Sequence, residues 1–233
     1  MTLLRRELLL DPANPEELKR DGPSLLESET DDAARARILR LLARTYSGEG
    51  DHSDAARFDR QAAALKGLSL ADRIAFFLEA SHEYEAGMVY SKAVETYYQA
   101  IYAVEEAGVA PVEAHDWYAP ALVGMAQNFQ RLGDYGQASR ACIQYLKYYP
   151  DGAQADLVRY TLGQSYEQRA VAGAPAVEVR AMRTKAIEQY DTLAKVESGA
   201  TSRTFWQNVG QQSADQLRWE QDHPYLLKEK GQP

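Results

Sequence analysis

The sequence predicts an all-α protein built as a helical solenoid, and three observations carry that reading. Alanine, leucine, glutamate, arginine and glutamine dominate, and Val, Ile and Thr never alternate in a run that would mark a strand. Helix-turn-helix signals return several times along the 233 residues, with large and small residues at helical spacing on either side of a glycine-containing turn. One such hairpin cannot bury its apolar face alone, so repetition implies stacking and a quasi-linear core. An apolar content of 45% supplies ample material for that core.

Leu8-Leu9-Leu10-Asp11-Pro12-Ala13-Asn14-Pro15-Glu16 reads as the end of a second helix and a junction, so residues 1–35 are expected to hold a half repeat and a linker. Ser24-x-x-Glu27 and Ser69-x-x-Asp72 read as helix starts, a hydroxyl meeting free N–H groups while the acid suits the helix dipole. Residues 36–220 then hold about five helix-turn-helix units. The first, from Ala36, places Leu39, Leu42, Ala43, Tyr46 and Ala55. The second, from Ile74, places Phe77, Ser81 and Tyr84, then Gly87, Tyr90, Ala93, Tyr97 and Ala100. The third runs from Ala119 to Pro150: Leu122, Met125, Ala126 and Phe129, the turn Leu132-Gly133-Asp134-Tyr135, then Ala138 and Cys142. The fourth, from Asp156, shows Leu162, Gly163 and Tyr166, and its second helix, marked by Ala186, Ile187 and Tyr190, arrives late. The fifth, from Arg203, shows Trp206, Val209 and Gly210, with Trp219 placed to begin or cap a final helix. Gly48, Gly87, Gly108, Gly133 and Gly199 read as stops, and residues 221–233 as a tail that frays.

These spacings resemble tetratricopeptide (TPR) repeats over about four fifths of the chain, the third unit most completely. The resemblance implies a right-handed superhelix of helical hairpins, a single elongated domain over residues 1–233. Unit starts near 36, 74, 119, 156 and 203 lie 38, 45, 37 and 47 residues apart, longer than the common TPR period. Asp59 falls where the pattern wants an aromatic. The segment Tyr145-Leu146-Lys147-Tyr148-Tyr149-Pro150, with Ala155-Asp156 and Tyr160 to Tyr166 after it, is similar to the TPR lipoprotein of the bacterial outer-membrane β-barrel assembly machinery. It departs from that group in lacking a lipidated N-terminal cysteine.

A net charge of -8 argues against nucleic acid and anionic membranes as partners, since both need a positive field. The single cysteine, Cys142, forbids an intrachain disulfide and is expected on an inner helix face as a small hydrophobe. The four histidines are dispersed without HExxH or CxxC spacing, and His115 and Asp116, adjacent on a helix, are expected to point apart, so no metal is expected. No GxGxxG, GxxxxGK[ST] or GxSxG is present, so neither a cofactor nor a catalytic residue is expected and the protein reads as a non-enzyme. Arg5, Arg6 and Glu7 break the apolar run from Leu3 to Leu10, which leaves no apolar core of signal-peptide length there, and no membrane insertion is expected; either the chain opens with a half repeat or the natural protein begins before Met1. The chain as it stands reads as cytoplasmic, or periplasmic if an upstream signal was removed.

Function then rests on surface. The resemblance implies that the first helix of each unit lines a concave groove. The residues it exposes there are Arg37, Arg40 and Arg44, then His82 and Glu85, then Gln127, Gln130 and Arg131, then Tyr160, Gln164 and Glu167, with Gln207 and Gln211 following. The three arginines share one helix stripe and each guanidinium can grip a carboxylate or phosphate, unless Asp31 and Asp32 engage them along the helix. Glutamine amides both donate and accept, which suits an extended peptide backbone. Tyr46, Tyr84, Tyr97, Tyr135, Tyr166 and Tyr190 are expected as inter-helix packing, whereas Trp117-Tyr118 before Pro120, with Tyr148, Tyr149 and Tyr225, are expected at helix ends as interface anchors. The leading reading is a scaffold or adaptor that takes a peptide or helix of a protein partner. The alternatives are a periplasmic outer-membrane assembly component and an accessory subunit of an enzyme complex. Self-association through a terminal repeat remains open, because an uncapped repeat exposes an apolar face. Small residues at Ala126 and Ala138 would let two helices approach closely, so Ala138→Leu is expected to cost ~1–3 kcal/mol, read as a lowered denaturant midpoint.

Overall fold

The computed structural model describes residues 15–171, 175–195 and 204–223, all helices and short turns, with no strand among them. The junction before Pro15, Gly199 and Tyr225 lie outside the described residues. The chain divides into two compact units, Met1–Asn128 and Phe129–Pro233. The first contains α1 (Pro15–Ser28), α2 (Asp32–Gly48), α3 (His52–Ala63), α4 (Leu70–Ala86), α5 (Tyr90–Glu106) and most of α6 (His115–Arg131). The second contains the end of α6, then α7 (Tyr135–Tyr148), α8 (Ala155–Val171), α9 (Ala176–Ala194) and α10 (Phe205–Asp222). Helices adjacent in sequence pack on one another: α1 through α5 in series in the first unit, α7 through α10 in the second.

Burial follows the repeating pattern. Leu18, Leu39, Leu42, Phe58 and Phe76 make one continuous core cluster, with Leu25, Leu26 and Tyr46 packed against it. Small residues set the helix spacing: Ala55, Ala62, Ala80, Ala93 and Ala138 are wholly buried. Where the ring of Tyr97 crosses α6, only glycine fits, because a Cβ on Gly124 would stand 2.3 Å from Tyr97 Cζ. Cys142 is buried as expected, and burial pushes its thiol up to about 12, so it packs as an inert hydrophobe.

Several local expectations are corrected. Ser24 lies inside α1, so Ser24-x-x-Glu27 starts nothing. Glycine at position 22 allows this, since α1 approaches α2 until a Cβ there would meet Leu42 Cδ2 at 3.0 Å. The long spacing of the fourth unit is, as the sequence implied, partly extended helix, since its second helix begins at Ala176, well before Ala186. Trp219 neither begins nor caps a final helix; it sits in the last turn of α10. Tyr118 is only 1% exposed and its hydroxyl donates to Glu105 Oε1 at 2.9 Å, so it is an internal brace and no partner's anchor. Tyr149 is likewise buried. His115 and Asp116 do meet, Nδ1 to Oδ1 at 3.1 Å, because both side chains are exposed at the first turn of α6, where no preceding turn holds them apart.

Caps explain the turns. Asp31, Asp51, Ser69 and Asp134 each accept a backbone N–H three residues on, at 2.8, 3.3, 3.1 and 3.0 Å, and Thr204 with Gln207 forms a full capping box. Gly50, Gly108 and Gly133 take the left-handed conformation, with φ of 84°, 70° and 75°. After α4 the pattern slips by one residue: Gly87 keeps φ -75°, and Met88, 74% exposed, is forced to φ 58°. The next residue, Val89, occupies the N-cap with no side-chain bond to give. Replacing Met88-Val89 by the Gly-Asp found at Gly133-Asp134 should therefore stabilise the protein by about 1–2 kcal/mol, seen as a higher midpoint in thermal or urea unfolding.

Candidate functional site

In the first unit the arginine stripe on α2 is only partly open to solvent. Arg37 and Arg44 are exposed. Arg40 is half-buried, with its guanidinium carbon 4.2 Å from the Phe76 ring centre and Nη2 3.5 Å from Glu79 Oε2 on α4. The acids expected to engage the stripe along the helix are occupied elsewhere. Asp31 caps α2, and Asp32 lies 3.6 Å from Arg35 and accepts the Gly67 N–H at 2.7 Å.

Behind this stripe sits Asp59 of α3, 4% exposed, its Oδ1 without a hydrogen-bond donor among the described residues. Burial raises its carboxyl to about 8, with Glu79 and Glu83 of α4 adding to the rise and Arg40 and Arg44 of α2 opposing it. Glu83 is in turn bonded through Oε2 to His52 Nδ1 at 2.8 Å. A buried acid thus lies among two arginines and two glutamates, on the side where α2 and α4 flank α3.

The next polar layer is satisfied. Glu85 of α4 is half-buried and its Oε1 accepts the Tyr97 hydroxyl at 3.1 Å and the side-chain amide of Asn128. Asn128, wholly buried, also donates to the Gly124 carbonyl at 2.7 Å. Glu85 therefore braces α4, α5 and α6. His82 is exposed, its ring edge-on to Tyr97 at 6.1 Å, and Gln127 is half-buried.

The second unit repeats the brace. Tyr190 of α9 donates to Glu167 Oε2 of α8 at 2.8 Å, and a Cβ on Gly163 would lie 2.5 Å from the Tyr190 ring. Burial raises the Glu167 carboxyl, and the nearby Glu220 adds to that, while the Tyr190 hydroxyl bond and Arg183 oppose it. Gln130 donates to the Thr161 carbonyl at 2.9 Å and to Ser165 Oγ at 3.0 Å, so it pins the end of α6 to α8. Gln164 donates to the Tyr160 hydroxyl at 3.1 Å, and Tyr160 forms an aromatic ledge with Trp206 at 5.7 Å and the 71%-exposed Phe205 beyond it. Gln207 serves the α10 cap, Gln211 donates to Asp215, and Arg131 is exposed.

The sequence positions thus separate into two kinds. Arg37, Arg44, His82 and Arg131 reach solvent, whereas Glu85, Gln130 and Glu167 hold helices together. Asp59 was legible only as a departure from pattern, and Asn128 and Phe205 carried no signal at all, because burial and ledge formation depend on neighbouring helices.

No protein-family model matches the chain, and no curated protein matches it by sequence. Solved structures do match it. One crystal structure of a putative kinesin light chain from Podosopora anserina with nearly identical TPR-like repeats aligns at 15% identity, TM-score 0.61, over 86% of this chain and 95% of that one. Another crystal structure of that putative kinesin light chain aligns at 17% identity, TM-score 0.59, over 83% and 92%. BtubC (BKLC) from P. vanneervenii aligns at 17% identity, TM-score 0.51, over 100% and 95%. Together with the hairpins described above, these likenesses establish the fold class: an all-α, TPR-like array of helical hairpins.

Asp59 makes stability pH-dependent. Its folded pKa lies above the value of 3.8 it has in an unfolded chain, so between pH ~4 and ~8 the native state holds a proton that the unfolded state has released. The contribution is complete below pH ~4 and is lost as pH rises through about 8, at up to about 1.4 kcal/mol per unit. Asp59→Asn, a neutral isostere, should match the parent near pH 4 and exceed it increasingly toward pH 8, by on the order of 5 kcal/mol, in urea titrations run at a series of pH values.

Proposed function

We propose that the protein is a non-enzymatic scaffold that binds a peptide or helix of a protein partner on the first helices of its hairpins. The observation that carries this reading is that polar and aromatic groups on those helices keep solvent-facing surface after packing within each unit. In the first unit these are Arg44 and His82, exposed on α2 and α4, with the half-buried Gln127 on α6. In the second they are the Tyr160 and Trp206 rings with Phe205, on α8 and α10. Guanidinium and amide groups would set a segment's direction, and the aromatic ledge would supply buried area. Among the described residues no helix is long and apolar enough to cross a membrane.

A second reading, an accessory subunit held by the opposite helices, is favoured by a cleft of about 430 Å³ on α4 and α5. It is lined by Phe77, Arg73, Gln99 and two exposed rings, Tyr98 and Tyr102, which are 47% and 63% accessible. The outer-membrane assembly reading rests on the local sequence likeness alone, and an upstream segment ending in a lipidated cysteine in the full gene would support it.

The two faces are separable by substitution. Arg44→Glu with Gln127→Ala should reduce capture of the partner from source cells at least tenfold, with far-UV circular dichroism and unfolding midpoint unchanged. Tyr98→Ala with Tyr102→Ala should leave capture intact. The opposite pattern would replace the first reading by the second.

A further inference from the structure

The helix packing register singles out one interface of the first unit. Asp59 stands four residues after Ala55, as Tyr97 stands after Ala93 and Tyr190 after Ala186. Glu79 stands two residues before Ser81, as Gly124 stands before Ala126. Tyr97 therefore lays its ring on Gly124, whereas the same register between α3 and α4 sets an aspartate against a glutamate. An apolar contact has been exchanged for two carboxyl groups, at a place where burial makes a lone charge costly.

We propose that Asp59, Glu79 and Glu83 form a seat for one basic side chain, the guanidinium or ammonium group of an arginine or lysine in a partner segment. This deepens the scaffold reading above and rests on it for the origin of that segment. Three features support the seat. Asp59 Oδ1 is buried and lacks a donor among the described residues, so the innermost acceptor is unsatisfied. The glutamates are accessible from outside, their side chains 46% and 22% exposed for Glu79 and Glu83. Glu79 is lightly held: Arg40 stays 3.5 Å away and rests on Phe76, so the carboxylate can turn to an incoming cation without breaking a close pair.

The field at Asp59 selects the sign of the ligand. The two glutamates, nearest in effect, outweigh Arg40 and Arg44 there, so a cation is drawn inward and an anion meets three acids. Arg44, exposed at the rim, disfavours a run of several basic residues and favours a single one. Occupation by a cation replaces the proton on Asp59, so binding near neutral pH releases a proton.

The test uses N-acetyl-arginine amide as the probe against the full chain, following the Asp59 carboxyl carbon by NMR at pH 7. A saturable shift toward the ionised carboxylate is expected. N-acetyl-glutamate should give none, Glu79→Gln should weaken arginine-amide binding several-fold, and Asp59→Asn at least tenfold while remaining folded. Saturable binding of the acetyl-glutamate, binding of arginine amide unchanged in Asp59→Asn, or no saturable shift with arginine amide would each overturn the seat. If the seat fails in this way while partner capture still depends on Arg44 and Gln127, the scaffold reading survives it. If arginine amide saturates the site as expected while capture ignores Arg44 and Gln127, the seat holds and the scaffold reading falls.

Discussion

Close approach of helices at small residues is the constraint on which the rest of the structure depends. A hairpin of two amphipathic helices exposes as much apolar surface as it hides, so each must be covered by the next. That cover forms only where axes come near enough for large side chains to lie across a neighbouring backbone. Gly124 under the Tyr97 ring and Gly163 under the Tyr190 ring are such places, and at Gly210 the backbone of α9 comes within 2.7 Å of where a Cβ would be. Tyr97 lies on Gly124 of the helix after its own and Tyr190 on Gly163 of the helix before it, yet both hydroxyls donate to a glutamate on the preceding helix, Glu85 and Glu167.

The first unit shows what happens when this rule is broken. With Asp59 in place of a tyrosine, the interface keeps its alanines but loses the ring, and the polar groups around it organise as a charged layer instead. Such a layer is less stabilising than apolar packing of equal volume. The second unit places its unusual residues differently, in a ledge of Tyr160, Trp206 and Phe205 that packing leaves open on one side.

Much of the architecture was legible because it depends on local physics. Ser69 and the Gly133-Asp134 turn act where the sequence placed them, since a cap or a left-handed residue is decided within a few residues. Gly87 likewise ends α4 where the sequence placed a stop, although the left-handed bend falls on Met88, whereas the reasoning went astray at Ser24, where packing of α1 on α2 carried a helix through a cap motif. At Ser24 the local preference was real and weaker than the burial of α1 against α2.

The candidate site divides along the same line. By itself the sequence determined that the protein is all-α, that its hairpins repeat, and which residues lie on the first helix of each, because helical period and turn chemistry are properties of contiguous residues. Only the tertiary structure decided which of those residues are taken up by packing. Glu85 and Gln130 look like surface groups on their own helices, yet hydrogen bonds from Tyr97 and Asn128, and to Thr161 and Ser165, turn them inward. Arg44 has the same sequence character and stays exposed. The difference is set by what the neighbouring helix presents at that height, and helices tens of residues apart in sequence meet only when the stack has formed.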